Sequence, residues 1–263
     1  MQSTPVTTTG QAANSPDLHM VSIGINKYKN PYLDLDYAVP DAKGVANYFG
    51  VNHKLFNKVH RYELYNRKAT QTRIQTTLDL LSAVPARDTV IIFMSGHGDT
   101  LAGEWKFIPY DLANPTDQNE LALKSVSAST LQLLVAKISA HRIFLLIDSC
   151  KSGAILDAFG EYDMQQNFAI ISRSQGIHIG ASTTKEQSAG ELATLGHGVF
   201  TFALLKGLEG DADLNGNGEV SVSETLTFIK KKMIVLIKEN NIPPQRPTTS
   251  SRGMDFTLST DKS

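Results

Sequence analysis

Two continuous apolar runs constrain this chain more than any other feature of its sequence. Residues Asp88–Ser95 (DTVIIFMS) and His141–Ser149 (HRIFLLIDS) lack the apolar–polar alternation of a strand with one exposed face. Runs of this kind are typical of strands buried on both faces, which occur in parallel sheets covered by helices. In such a sheet, ligands gather beyond the carboxyl ends of the strands. The residues that follow the two runs are therefore the first candidates for a functional site.

Strand-like and helix-like segments alternate from Leu18 onward. Further strands are predicted at His19–Asn26, His60–Asn66, Trp105–Tyr110 and Gly176–Ser182. Apolar residues at helical spacing predict helices at Tyr37–Gly50, Thr70–Val84, Ser125–Ser139, Gly198–Gly210 and Ser221–Asn240. This order indicates right-handed βαβ units. We predict an α/β fold, with a mostly parallel central sheet and helices on both faces.

The domain organisation is simple. Residues 1–17 are rich in Thr, Ser, Gln and Ala and predict a flexible tail, and residues 18–263 predict a single domain. The segment 156–175 is rich in Asp, Gln, Gly and Ser, and it predicts an exposed internal linker.

Composition excludes several classes of protein. The chain has 263 residues, of which 41% are hydrophobic, and its formal net charge is −1. A disordered chain would be less hydrophobic and more charged, and a nucleic-acid-binding protein would be more basic. No stretch has the length of a membrane span, and the first residues lack the basic and apolar parts of a secretory signal. The single cysteine, Cys150, excludes an internal disulfide. We expect a cytoplasmic protein without nucleic-acid or membrane partners.

His97 and Cys150 follow the two apolar runs directly. A free thiol is mostly protonated at neutral pH, and a nearby imidazole can accept its proton. The thiolate then attacks a carbonyl carbon, and the imidazolium protonates the leaving amine. The backbone N–H groups of Gly98 and Cys150 lie on the same two turns and are candidates for an oxyanion hole.

Each of these residues also has a simpler explanation when taken alone. A lone cysteine at a strand end is commonly a small buried apolar group, and a lone histidine there is commonly a hydrogen-bonded turn residue. Their joint placement favours catalysis, because His97 and Cys150 are 53 residues apart at the ends of two apolar strands.

The two motifs resemble those of the caspase-like cysteine peptidases, and they are most similar to those of metacaspases and prokaryotic caspase homologues. Caspases carry their histidine about 50 residues before the cysteine. The segments that resemble the family, in family order, are VSIGINKY, LDYAVPDA, FMSGHGD, LLIDSCKSG, GAST…GE and HGVFTFALLKGLEG. The resemblance covers nearly all of Leu18 to Phe256 and implies a caspase-like sandwich. It departs at Lys151, where metacaspases usually have histidine, and in lacking the Gln-Ala-Cys signature of true caspases.

The resemblance also implies a specificity. Caspases bind an aspartate side chain in a pocket lined by arginines, and the corresponding positions here are Asp41 and Asp148, with Ser95 beside them. Two carboxylates would favour the guanidinium of Arg or the ammonium of Lys. The alternatives are that Asp41 is a helix N-cap and that Asp148 forms a turn. Asp111 and Asp117 are weaker candidates for the same pocket.

A second motif lies near the C-terminus. Residues 213–224 fit the EF-hand loop, with Gly218 at the sharp turn. The predicted Ca²⁺ ligands are Asp213, Asn215, Asn217, Glu219, Ser221 and Glu224. The alternative is a turn that keeps the shape without metal. Calcium activation is common among metacaspases, but their activating site need not be this loop, and the dyad chemistry requires no cofactor.

The sequence thus predicts a caspase-like cysteine endopeptidase that cuts protein or peptide substrates after Arg or Lys. Arg173, in the predicted linker, is a candidate for autocleavage. One alternative is a catalytically silent caspase-fold module that binds a partner or senses Ca²⁺, and another is ligation by the same dyad. Caspases dimerise and metacaspases are mostly monomeric, so the resemblance predicts no oligomeric state.

Overall fold

The computed structural model describes residues 6–9, 15–52, 54–149, 176–183, 195–241 and 245–260. Cys150, Arg173 and the predicted linker lie outside these ranges. The strands of the described part are β1 Val6–Thr9, β2 Leu18–Gly24, β3 Lys58–Tyr65, β4 Thr89–Ser95, β5 Gly98–Leu101, β6 Glu104–Phe107, β7 Val126–Ser127, β8 Arg142–Asp148, β9 Gly176–Thr183, β10 Glu219–Ser221, β11 Arg246–Arg252 and β12 Thr257–Thr260.

Six α-helices lie in the same described ranges. They are α1 Ala38–Val51, α2 Gln71–Leu80, α3 Gln118–Lys124, α4 Ala128–Ala136, α5 Val199–Lys206 and α6 Val222–Glu239. Side chains cap several of them. Ser127 accepts a hydrogen bond from the amide of Thr130 at the start of α4, and Ser221 forms a capping box with Glu224 at the start of α6.

The main sheet has seven strands in the order β1-β3-β2-β4-β8-β9-β11. The five inner strands are parallel, and β1 and β11 pair antiparallel at the two edges. The predicted mostly parallel sheet is confirmed. Two small antiparallel sheets, β5-β6-β7 and β10-β12, lie apart from it.

Helices cover both faces of the main sheet, as predicted. Alternate residues of a strand point to opposite faces. On β4, Ile92 and Met94 belong to the apolar cluster that includes residues of α2 and α4, and Ile91 and Phe93 belong to the cluster that includes residues of α1, α5 and α6. The continuous apolar run of β4 is thereby explained, because both of its faces are buried.

The N-terminal tail includes one described strand. Val6–Thr9 form strand β1, which pairs antiparallel with residues 58–61 of β3. The sequence Val-Thr-Thr-Thr is entirely β-branched and favours an extended backbone. Among the described helices, none combines the length and the apolar character that crossing a bilayer requires.

Candidate active site

Four residues form one row across the carboxyl ends of the parallel strands. Gly24 on β2 pairs with Ser95 on β4, Ser95 pairs with Asp148 on β8, and Asp148 pairs with Ser182 on β9. Residues directly opposite each other on neighbouring strands point to the same face. Ser95, Asp148 and Ser182 are all buried, at 4%, 5% and 0% exposed. The sheet therefore presents a row of buried polar side chains beneath one helical layer.

Gly24 lets helix α1 lie directly over this row. A Cβ atom at Gly24 would lie 2.5 Å from the carbonyl oxygen of Ala38 and 2.8 Å from Cβ of Ala42. Only a residue without a side chain allows this approach. The same turn of α1 carries Asp41, so the close contact at Gly24 brings a second carboxylate to the strand ends.

Asp41 is not a helix cap. The N-cap residue of α1 is Tyr37, and Asp41 lies within the first turn. Its Oδ1 accepts hydrogen bonds from Nδ1 of His197 and from the amide of Gly198, each at 3.0 Å. The N-cap alternative was therefore wrong, because the Asp41 side chain is hydrogen-bonded to the two residues that precede α5 and not to the first amides of α1.

Asp148 has an incomplete set of hydrogen bonds. It is the last residue of β8, and Oγ1 of Thr201 donates to its Oδ2 at 3.5 Å. Its Oδ1 is buried and has no hydrogen-bond partner among the described residues. A buried carboxylate oxygen without a donor is costly, so this position can accept an N–H group from a ligand.

Burial raises the pKa of both carboxyl groups above their ordinary value. For Asp41, the hydrogen bonds from His197 and Gly198 offset part of the effect. For Asp148, the charge of Asp41 adds to the effect of burial, and Thr201 opposes it. The acidic pair, Asp41 and Asp148, is thus poorly compensated in the protein, and a cationic ligand would relieve it.

His97 is held from three sides just beyond β4. Its amide donates to Oη of Tyr28 at 2.8 Å, and its carbonyl accepts from the amide of Ile108 at 3.0 Å. Its imidazole Nε2 lies 2.9 Å from the carbonyl oxygen of Leu33. Because a carbonyl only accepts, Nε2 carries the proton, and Nδ1 of the neutral ring has a lone pair with which to accept another.

Burial lowers the pKa of His97, and the Leu33 carbonyl opposes that shift. The imidazole is therefore biased toward its neutral form at neutral pH, which is the form that accepts a proton.

The segment that supplies the Leu33 carbonyl is fixed by two asparagines that sequence reasoning missed. Oδ1 of Asn66 accepts from the amides of Asn26 and Lys27, each at 2.9 Å, and Oδ1 of Asn26 accepts from the amide of Val39 at 2.6 Å. Asn66 has a φ of 49°, in the left-handed region that asparagine tolerates better than most residues. A lone asparagine after a strand gives little sequence signal for such a role.

Gly98 has a backbone N–H group suited to the predicted oxyanion hole. It starts β5 opposite Phe107, and the neighbouring ladder bond joins the His97 carbonyl to the Ile108 amide. In that pattern Gly98 and Phe107 are a non-hydrogen-bonded pair, so the N–H of Gly98 points away from β6.

The loop at residues 213–224 is a tight turn built around the carboxylate of Asp213. The carboxylate of Asp213 accepts hydrogen bonds from the amides of Gly216, Asn217 and Gly218, led by that of Gly218, and these lower the pKa of Asp213. Gly218 has a φ of 78°, which a side chain would strain.

Glu224 closes the same loop from its far end. Its Oε1 accepts from Nδ2 of Asn215 at 2.7 Å, and its Oε2 accepts from the amide of Ser221 at 3.0 Å. The Glu219 side chain points elsewhere, to Oγ1 of Thr257. No cluster of three or more His, Cys, Asp or Glu side chains that could hold a metal ion occurs in the described part of the chain.

The weaker pocket candidates have other partners. Asp111 accepts from the amide of Gln71, and Asp117 is the N-cap of α3. Neither is hydrogen-bonded to the acidic pair.

His97, bonded to a backbone carbonyl, thus lies beyond central strand β4, beside strand β8, whose sequence leads into the cysteine motif. The chain belongs to the caspase-domain family, whose model matches residues 19–258. Members of this family are cysteine peptidases that act on protein substrates.

Solved structures agree on the fold. Caspase-1 from Spodoptera frugiperda superposes with a TM-score of 0.58 at 12% identity, covering 98% of each chain. The structure of pro-sf-caspase-1 gives 0.56 at 13% identity over 92% of this chain and 93% of that one. Protein GSU0716 from Geobacter sulfurreducens gives 0.57 at 14% identity over 91% and 94%. No curated protein matches the sequence.

Proposed function

We propose that this protein is a cysteine endopeptidase that cuts after Arg or Lys, with Cys150 as nucleophile and His97 as acid and base. The observation that carries the specificity is the buried Oδ1 of Asp148, which has no donor among the described residues and belongs to a carboxylate that the charge of Asp41 also acts on. A guanidinium or ammonium group supplies both the missing N–H donors and the opposite charge. An acidic pair in place of arginines favours the metacaspase-like branch.

The hydrogen bond between Nε2 of His97 and the Leu33 carbonyl supports different roles for the two imidazole nitrogens. Nε2 carries a proton that it donates in a hydrogen bond to the Leu33 carbonyl. Nδ1 therefore accepts the proton of the Cys150 thiol. The thiolate attacks the substrate carbonyl carbon, and the amides of Gly98 and Cys150 stabilise the oxyanion. Nδ1–H then protonates the leaving amine. Water hydrolyses the resulting thioester with His97 again acting as base.

Strand register supports the pairing of His97 with Cys150. Ser95 and Asp148 are direct partners, and the amide of Gly96 donates to the carbonyl of Asp148 at 3.3 Å. His97 follows Ser95 by two residues, and Cys150 follows Asp148 by two residues. The two segments thus leave neighbouring strands at the same level of the sheet.

An irreversible peptidyl acyloxymethyl ketone tests this assignment. Because Cys150 is the only cysteine, the stoichiometry of labelling reports on that thiol alone. We expect a reagent with Arg at P1 to label Cys150 rapidly, a reagent with Asp at P1 to label it slowly, and His97→Gln to slow the first. Equal labelling by both reagents would contradict the specificity, and unchanged labelling in His97→Gln would contradict the dyad.

A further inference from the structure

His197 contacts the acidic pair from outside the row of strand ends. It precedes α5, and 25% of its side chain is exposed, whereas Asp41 beside it is almost fully buried. Its Nδ1 and the amide of Gly198 converge on one oxygen of Asp41. Two donors on a single oxygen fix the orientation of the carboxylate and stabilise its ionised form.

A glycine in helix α1 leaves room for the imidazole of His197. A Cβ atom at Gly44 would lie 2.7 Å from Cε1 and 3.2 Å from Nε2 of His197. The missing side chain at Gly44 therefore leaves the space that the ring occupies. The ring is held by packing on the helix as well as by its bond to Asp41.

Among the described elements, one neighbouring group opposes the ionisation of Asp41 and two favour it. Asp148, at the end of β8, bears the same charge, and burial raises the pKa of Asp41 further. His197 and Gly198 act in the opposite direction. Without the His197 donor, Asp41 loses one of the two interactions that keep it charged.

We propose that His197 is a positioning residue of the specificity pocket, which holds Asp41 ionised and oriented toward the basic side chain of the substrate and thereby sets KM without taking part in bond cleavage. This inference rests on the proposed cleavage after Arg or Lys. It adds a residue that touches neither the scissile bond nor the dyad.

Three substitutions at residue 197 separate the donor from the bulk of the side chain. Asn places an amide donor near the position of Nδ1, Gln places it near that of Nε2, and Leu removes it. A fourth variant, Gly44→Ala, keeps the histidine but displaces its ring. For each variant, kcat and KM are measured with fluorogenic peptides ending in Arg across pH 5 to 8, and thermal unfolding checks the fold.

The expected result is a KM for Arg peptides raised about tenfold in His197→Leu, His197→Gln and Gly44→Ala, the effect of losing one charge-assisted hydrogen bond. In these three variants the acid limb of the kcat/KM profile moves to higher pH and kcat changes little. His197→Asn keeps the KM of the wild type. An unchanged KM in folded His197→Leu, or failure of His197→Asn to restore it, would overturn the inference alone. A wild type that does not cleave after Arg or Lys would overturn the proposed function and this inference with it.

Discussion

Asp148 lies directly opposite Ser95 on the neighbouring strand, and the two side chains point to the face of the sheet that α1 and α5 cover. The register of two buried strands therefore places a carboxylate where Asp41 and Thr201 can reach it. The positions that follow this pair along each strand belong to the catalytic motifs. In the proposed function, the specificity pocket and the catalytic dyad therefore both depend on the register of β4 with β8.

The buried carboxylate of Asp148, whose Oδ1 has no donor among the described residues, should cost stability. Because the pKa of Asp148 is raised in the folded protein, the folded state binds the proton more tightly than the unfolded chain does. The free energy of unfolding therefore falls as pH rises from about 4 through the folded pKa. We expect Asp148→Asn to reduce this fall and to be more stable than wild type at pH 7, by about 1–3 kcal/mol.

Urea unfolding at pH 5 and pH 7 measures this difference. Asp79→Asn is a matched control, because Asp79 pairs with Lys137 on the surface with 57% of each side chain exposed. It should change little at either pH. A less stable Asp148→Asn at pH 7 would show that the carboxylate is compensated in the folded protein.

The buried imidazole of His97 should lose its proton at a lower pH than a free histidine does. Burial lowers the pKa of His97 below its ordinary value of 6.5, so the neutral ring persists to a lower pH in the folded protein than in the unfolded chain. Its contribution to stability is fully present above pH 6.5 and is lost as pH falls from there through the lower pKa of the folded protein. Nitrogen NMR of His97 in Cys150→Ala, which removes coupling to the thiol, should give a midpoint below 6.5. A higher midpoint would argue against a neutral base.

The tyrosine that holds the His97 backbone should affect kcat. Tyr28→Phe leaves the amide of His97 without its acceptor and loosens the turn. We expect kcat to fall about tenfold, with little change in KM, because Tyr28 does not belong to the proposed pocket for the basic side chain. Tyr62→Phe is the control, since its hydroxyl lies 3.3 Å from Nδ1 of His19. Equal effects of both substitutions would exclude a local role for Tyr28.

The approach of α1 to the sheet should be sensitive to one methyl group. Gly24→Ala would place a Cβ 2.5 Å from the backbone of Ala38, so α1 and Asp41 must shift outward. We expect lower stability and a higher KM for Arg peptides. Gly50→Ala, in the same helix, would bring its Cβ 2.8 Å from the guanidinium end of Arg61, a side chain that can shift more easily than backbone, and should cost less. Equal KM values in both variants would separate Asp41 from substrate binding.

The loop at residues 213–224 gives a separate prediction about calcium. Titration calorimetry should detect Ca²⁺ binding, and Glu224→Gln should abolish it while keeping the capping hydrogen bond of α6. Absence of heat at millimolar Ca²⁺ would favour a turn that keeps the shape without metal.

The inner strands could be predicted from sequence because burial on both faces leaves a continuous apolar run, as in β4 and β8. Strand β11 was missed, since its sequence RPTTSSR carries no apolar signal and its place at the sheet edge follows from tertiary pairing with β9. Helix α3 was also missed, because it is short and mostly polar, and its start depends on the Asp117 cap.

The candidate site also has a part that could be predicted from sequence and a part that could not. The resemblance to caspase-like peptidases placed Asp41, Ser95 and Asp148 in one pocket. The contact of Asp41 with His197 joins residues 156 positions apart, and no local pattern predicts it. It depends on the missing side chain at Gly44, which only the folded protein reveals.

Release of a fluorophore from matched peptides ending in Arg, Lys or Asp tests the central claim most directly, with wild type, Cys150→Ala and Asp148→Asn compared. We predict a wild-type kcat/KM at least about 100-fold higher after Arg or Lys than after Asp. Asp148→Asn should lose most of that preference, and Cys150→Ala should lose all cleavage. Preferential cleavage after Asp, or cleavage that survives in Cys150→Ala, would contradict the account.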